Sequence, residues 1–223
     1  DFVAKSIRAA GPSFTDLPLS ELSAADTTLS DGYGHAADRA ILLYAMLAAS
    51  GFQPEFILAS TLPPLPGVTE VAKSSPALDD LKFTLVRISL DGETYYLDDT
   101  DQYAKIGTTS YDGKWAIALG DQTYAVIKTP AGCENKVDSD IKFSLADNGN
   151  AEISFSRQIY GEDYNFDKKY FAELTPEGRK RYFQQLVSSI AQGARPVGDL
   201  TTDFTGYPGR LHYTVAIDSY SVV

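Results

Sequence analysis

The stretch "DGYGHAADRAILLYAMLAASG", residues 31–51, decides how this chain reads. A glycine-containing turn runs directly into a segment that is apolar almost all round from Ala40 to Leu47 and stops at Gly51. This predicts a helix beginning near His35, ending at Gly51 and buried at the centre of its domain. The start of such a helix is a favoured seat for a reactive side chain. A thiol there feels the positive end of the helix dipole, which lowers its pKa and makes it a nucleophile. Ala36 and Ala37 occupy that seat here.

Working outward, Phe2, Val3 and Ile7 fall at helical spacing, so residues 2–9 read as a short helix ended by Gly11-Pro12. "LPLSELSAAD", residues 17–26, reads as a second short helical piece after Pro18, and "PEFILAS", residues 54–60, as a strand. Residues 60–82 carry four prolines and read as a long loop of the length associated with lids and binding loops. "KFTLVRISLDGETYYLDDTD" and "WAIALGDQTYAVIK" then read as two hairpins turning at Asp91-Gly92 and Gly120-Asp121. Hairpins after a buried helix suggest an antiparallel sheet packed on it.

Composition shifts at residues 129–140, a polar link taken as a domain boundary between 1–128 and 138–223. Beyond it, residues 141–161 read as a hairpin, with Ile141, Phe143, Leu145, Ile153 and Phe155 alternating around an Asn148-Gly149 turn. One helix follows, with Thr175 as N-cap, Pro176 at its first position and an end at Gly193. Its sheet-facing side is read as Tyr182, Leu186 and Ser189 or Ile190, and "RLHYTVAIDSYSVV" supplies a last strand. The fold class is therefore α+β: a buried central helix on an antiparallel sheet, then a smaller β-rich domain with one helix.

Bulk chemistry removes several function classes. A hydrophobic share of 43% with 12% aromatic residues calls for a packed core. Net charge is −11 and only Arg179-Lys180-Arg181 clusters positive charge, which argues against nucleic-acid partners. A single cysteine, Cys133, excludes an internal disulfide framework and a cysteine zinc cluster. With only His35 and His212 as imidazoles, no metal site and no cofactor is expected. No apolar run is long enough for a membrane helix. The start at Asp1, without a leader, reads as a piece of something longer. Low cysteine with abundant Tyr, Asp, Thr and Ser fits an extracytoplasmic protein.

The run Gly34-His35-Ala36-Ala37-Asp38-Arg39-Ala40, followed by a leucine-rich helix and Gly51, resembles the transglutaminase-like, papain-related superfamily of bacterial multi-domain proteins. Many of its members carry glycine, aspartate, cysteine, any residue, aspartate, a basic residue and alanine at that point. The resemblance continues at Phe83-Thr84-Leu85-Val86, where the family histidine stands, at Asp91-Gly92, and at Tyr95 to Asp101, where the family carries its triad aspartate. It spans roughly residues 1–125. It implies a nucleophile position at Ala36, a histidine position at Leu85 and an aspartate position at Asp98. Cysteine–histidine catalysis needs both a thiolate and an imidazole. Alanine and leucine supply neither, so the resemblance implies a pseudoenzyme.

Three functional expectations follow. The first is a catalytically inactive module of a larger extracytoplasmic protein that binds a peptide, glycan or protein partner, with Tyr33, His35, Asp98 and Asp99 as binding residues. The second is a hydrolase or transferase with a non-standard site around His35, Asp98 and Asp99. The third is a structural spacer whose cleft is filled by Leu85 and its neighbours. The remaining candidates have plainer readings. His35 is a turn residue, Asp38 a first-turn carboxylate, Cys133 a spare thiol and His212 a structural residue of a strand. The carboxylates Asp79, Asp80, Asp98, Asp99 and Asp101 lack the glycine and glutamate spacing of a calcium loop. Tyr160, Tyr164, Phe166, Tyr170 and Phe171 are read as core and loop packing ahead of a sugar-stacking platform.

Overall fold

A computed structural model describes residues 1–12, 16, 18 and 21–221. The chain divides into two compact units, Asp1–Cys133 and Glu134–Val223. Both combine helices with antiparallel sheets, so the chain is α+β.

In the first unit, α1 (Phe2–Ser6) is followed by β1 (Arg8–Ala9), α2 (Ala25–Asp31), β2 (Tyr33–Gly34) and α3 (Ala36–Ala49). The helix read over residues 2–9 is shorter than expected. Ile7 turns extended, and Arg8–Ala9 pairs in parallel with Tyr33–Gly34 instead of completing the helix. Of the helical piece read over 17–26, Leu17, Leu19 and Ser20 lie outside the described residues. The helix described there is α2, which starts at Ala25 and is closed by Gly32 in the left-handed region.

The main sheet has the order β5-β4-β3-β6-β7 and is antiparallel throughout. Its strands are β3 (Glu55–Ala59), β4 (Phe83–Leu90), β5 (Glu93–Leu97), β6 (Trp115–Ala118) and β7 (Tyr124–Val126). The two hairpins appear where the glycine turns placed them, with Asp91 and Gly92 both at positive φ as a two-residue turn between twisted strands requires. Residues 60–82 are not one loop. They hold α4 (Pro66–Ser74), with Pro66 at its first position, and a single 3-10 turn at Leu78–Asp80. Val68, Val71 and Ala72 give α4 a helical spacing that the surrounding prolines concealed.

Strand parity sorts the side chains of this sheet onto two faces. Phe56 lies on one face, where Tyr44 of α3 stacks on it with ring centroids 4.4 Å apart, and Val86 stands opposite Phe56 in the pairing of β3 with β4. Ile57, Ala59, Leu85, Tyr96, Ala116 and Ala118 form a separate apolar cluster with Ile127. The central helix is less enclosed than expected. Ala37 to Ala40 and Leu42 are buried, but Met46, Ala48 and Ala49 are exposed. Only its first half lies in the core.

The second unit is a four-stranded sheet in the order β10-β11-β9-β8, built from β8 (Lys136–Leu145), β9 (Ala151–Tyr160), β10 (Arg195–Asp203) and β11 (Gly209–Ile217). β8 begins inside the stretch read as a link. Two helices, not one, accompany it: α5 (Gly161–Glu173) and α6 (Pro176–Ile190). α5 escaped notice because it starts on a glycine directly after β9 and its aromatics mask the helical period. Tyr164 and Phe171 of α5 are core residues, packed with Phe155, Phe183, Val187, Leu211 and Tyr213. Phe166 and Tyr170 are exposed and stacked on each other. The N-cap of α6 is Thr175, whose Oγ1 accepts from Gly178 N at 3.0 Å. Its most buried residues are Phe183 and Val187, while Tyr182, Leu186 and Ile190 flank them.

Candidate functional site

The start of α3 is built by its own sequence. His35 is the N-cap, and its Nδ1 accepts from the backbone N–H groups of Ala37 at 3.1 Å and Asp38 at 3.4 Å. Asp38 returns the arrangement, because its Oδ2 accepts from His35 N at 3.2 Å. This is a capping box with an imidazole in the place usually held by a hydroxyl. Asp38 Oδ1 also accepts from Ser23 N at 2.7 Å, which ties the segment before α2 to the helix. Gly34 permits the close approach. A Cβ there would stand 2.8 Å from Asp38 Cβ and 3.1 Å from Thr28 Cγ2.

These bonds fix the chemistry of His35. An imidazole nitrogen that accepts from backbone N–H groups carries no proton, so the proton of the neutral ring resides on Nε2. Nε2 lies 3.3 Å from Asp38 Oδ1 without hydrogen-bond alignment, and the side chain is buried. His35 is therefore a structural cap whose basic nitrogen is already engaged.

One turn on, Arg39 turns inward to the end of β5. Its Nη2 donates to the backbone carbonyl of Asp99 at 2.6 Å, and its Nε stands 3.0 Å from Asp99 Oδ2. Both side chains are buried. Loss of water raises the Asp99 carboxyl from 3.8 to about 6; the Arg39 charge opposes that rise, and neighbouring Asp98 adds to it. Asp98 itself accepts from the backbone N and the Oγ1 of Thr100, both at 2.9 Å, and so shapes the turn after β5.

The segments holding Ala36 and Asp98 are thus joined through Arg39 and Asp99, and Val86 pairs with Leu97 just before Asp98. Leu85 is a different matter. It pairs with Ile57, belongs to the apolar cluster away from Phe56 and Tyr44, and is 1% exposed. Its neighbour Val86, not Leu85, shares the sheet face on which α3 stacks. Ala36 is exposed, and Tyr33, on β2, is 50% exposed.

The other candidates stand apart. Cys133 is half-buried and outside any disulfide, with Sγ 3.8 Å from the Ile106 carbonyl. His212 lies on β11 with Nδ1 2.9 Å from Ser156 Oγ. Among the described residues no group of three His, Cys, Asp or Glu is placed to hold a metal, and no helix is long and apolar enough to cross a membrane. Sequence reasoning passed over Arg39. Its signal was a cation that, with Asp38, is one of two charges in a helix apolar from Ala40 on, where burial demands a partner.

No protein-family profile matches this chain, and no curated protein does. A crystal structure from Parabacteroides distasonis ATCC 8503, described as a "putative protease", is similar over 98% of this chain at 14% identity, with a TM-score of 0.42. The chain spans 44% of that protein's length.

Proposed function

We propose that the first unit is a non-catalytic module of the transglutaminase-like kind, part of a larger extracytoplasmic bacterial protein, in which the three triad positions do not form one centre. One observation carries the reading: each position that the resemblance makes catalytic is inert or already occupied. Ala36 offers a methyl group, Leu85 is sealed in an apolar cluster, and Asp98 is bound to Thr100. His35 and Asp99 do not replace them. The first spends Nδ1 on the helix cap, and the second is held by Arg39. Without a nucleophile and a free base, acyl transfer has no first step.

The role left to the unit is shape and recognition of a peptide, glycan or protein partner. Tyr33 and Ala36, both exposed, lie on either side of buried His35 in the sequence, and an exposed aromatic ring suits such a contact. The test is an assay for hydrolysis and for amine transfer on glutamine-containing peptides, read by mass spectrometry. The purified chain is expected to show no turnover. Turnover that survives repurification and disappears in Asp98→Ala or His35→Ala would overturn the proposal.

A further inference from the structure

The two edges of the second unit's sheet are finished differently. β10 carries Pro196, which has no N–H, and its pairing with β11 slips between Val197 and Thr201. Such devices blunt an edge against further pairing. β8 has neither. It runs for ten residues, keeps one register with β9 from Lys136 to Leu145, and is exposed at every residue.

Its outward backbone groups can be identified. Ala146 N donates to Asn150 O at 2.8 Å at the head of the hairpin. Antiparallel pairing alternates from there, so Asp138, Asp140, Lys142 and Ser144 bond to β9. The N–H and C=O groups of Val137, Ser139, Ile141, Phe143 and Leu145 point away from the sheet. Four of those five residues are apolar and share a sheet face with the core residues of β9, yet all four stay exposed, with the Tyr220 ring 5.3 Å from that of Phe143. Ile141 is 58% exposed, whereas Phe155 opposite it on β9 is 8% exposed.

We propose that β8 pairs with β8 of a second copy of this chain, antiparallel, about a two-fold axis at Ile141. The two four-stranded sheets then become one continuous sheet. A two-fold axis normal to the sheet always sets apolar row against apolar row, because it preserves the face of every side chain. Among axes at residues 139 to 142, in the middle of the strand, charge selects the register. An axis at Asp140 sets that carboxylate against its copy, and an axis at Lys142 sets two ammonium groups together. An axis at Ser139 opposes Asp138 to Asp140 and Lys136 to Lys142. Like charges directly opposite are destabilising. The axis at Ile141 opposes Asp140 to Lys142 twice, Asp138 to Ser144 and Val137 to Leu145. It brings the outward N–H and C=O of Ile141 against those of its copy and leaves no facing like charges.

Sedimentation velocity of the whole chain, from micromolar to hundreds of micromolar, tests this. A monomer–dimer equilibrium is expected. Asp140→Lys should weaken it about tenfold or more, since two attractive cross-strand pairs become two repulsive ones. Asp140→Lys with Lys142→Asp should restore it, because the exchange regenerates both pairs. These side chains are exposed, and circular dichroism checks that the fold is retained. In a Cys133→Ser background, Ile141→Cys should oxidise to a disulfide-linked dimer. A chain that stays monomeric throughout, or a dimer indifferent to the single change or not recovered by the double one, overturns the proposal. Either result would assign the edge to another occupant or to none.

Discussion

Arg39 reaches Asp99 across sixty residues of sequence, holding its backbone carbonyl at 2.6 Å through Nη2 and its carboxylate at 3.0 Å through Nε. The contact clamps the first turn of α3 to the end of β5, and it does so where water is excluded. A buried ion pair of this kind contributes little net stability when intact, because desolvation offsets attraction, but breaking it leaves an uncompensated charge. Arg39→Met should therefore destabilise the first unit by about 3–5 kcal/mol at neutral pH. Urea unfolding followed by fluorescence of Trp115, the single tryptophan, reports on that unit alone. A loss within the range of an exposed pair would show that the clamp is not closed.

Asp99 also gives the unit a pH dependence of definite sign. Its folded pKa, about 6, lies above the ordinary 3.8, so between those values the folded state holds a proton that the unfolded chain has lost. The stabilisation is fully present below the unfolded pKa and is lost as pH rises through the folded one. Stability should fall by about 1–3 kcal/mol across that window, at about 1.4 kcal/mol per pKa unit. Asp99→Asn should flatten the slope read by Trp115. Asp167, also raised to about 6, lies in the second unit and does not enter this signal.

His35 acts through its ring nitrogen as a cap, and the effect of replacing it depends on which atom remains. Asparagine keeps an acceptor for Ala37 N and Asp38 N, whereas alanine leaves both donors unsatisfied. His35→Ala should cost about 0.5–2 kcal/mol and His35→Asn much less. Thermal unfolding of both variants checks this. Equal losses would mean that the imidazole has a role other than capping.

The elements legible in the sequence are those marked by local chemistry. The Asp91-Gly92 and Asn148-Gly149 turns, Thr175 with Pro176, and Gly51 each specify a backbone conformation without help from distant residues. The elements missed depend on context. α4 lies among prolines that also favour loops, and Pro66 opens a helix only because the residues after it continue one. α5 begins on Gly161, held at positive φ against Asn135, a contact no local pattern reveals. At the candidate site the sequence marked Ala36, Leu85 and Asp98 but carried no sign of which sheet face each occupies or what it touches. That Leu85 packs on the face away from Phe56 and Tyr44 follows from pairing with Ile57, and that Arg39 is buried follows from Asp99.

We propose that position 36 is the empty seat of a nucleophile at the start of a helix that can still activate one. The direct measurement is the pH dependence of iodoacetamide alkylation of Ala36→Cys in a Cys133→Ser background. Ala36 is exposed at the first position of α3, so the introduced thiol should ionise about one unit below the usual value near 8.5, with no peptide turnover gained. A thiol that titrates at or above 8.5 would contradict the account.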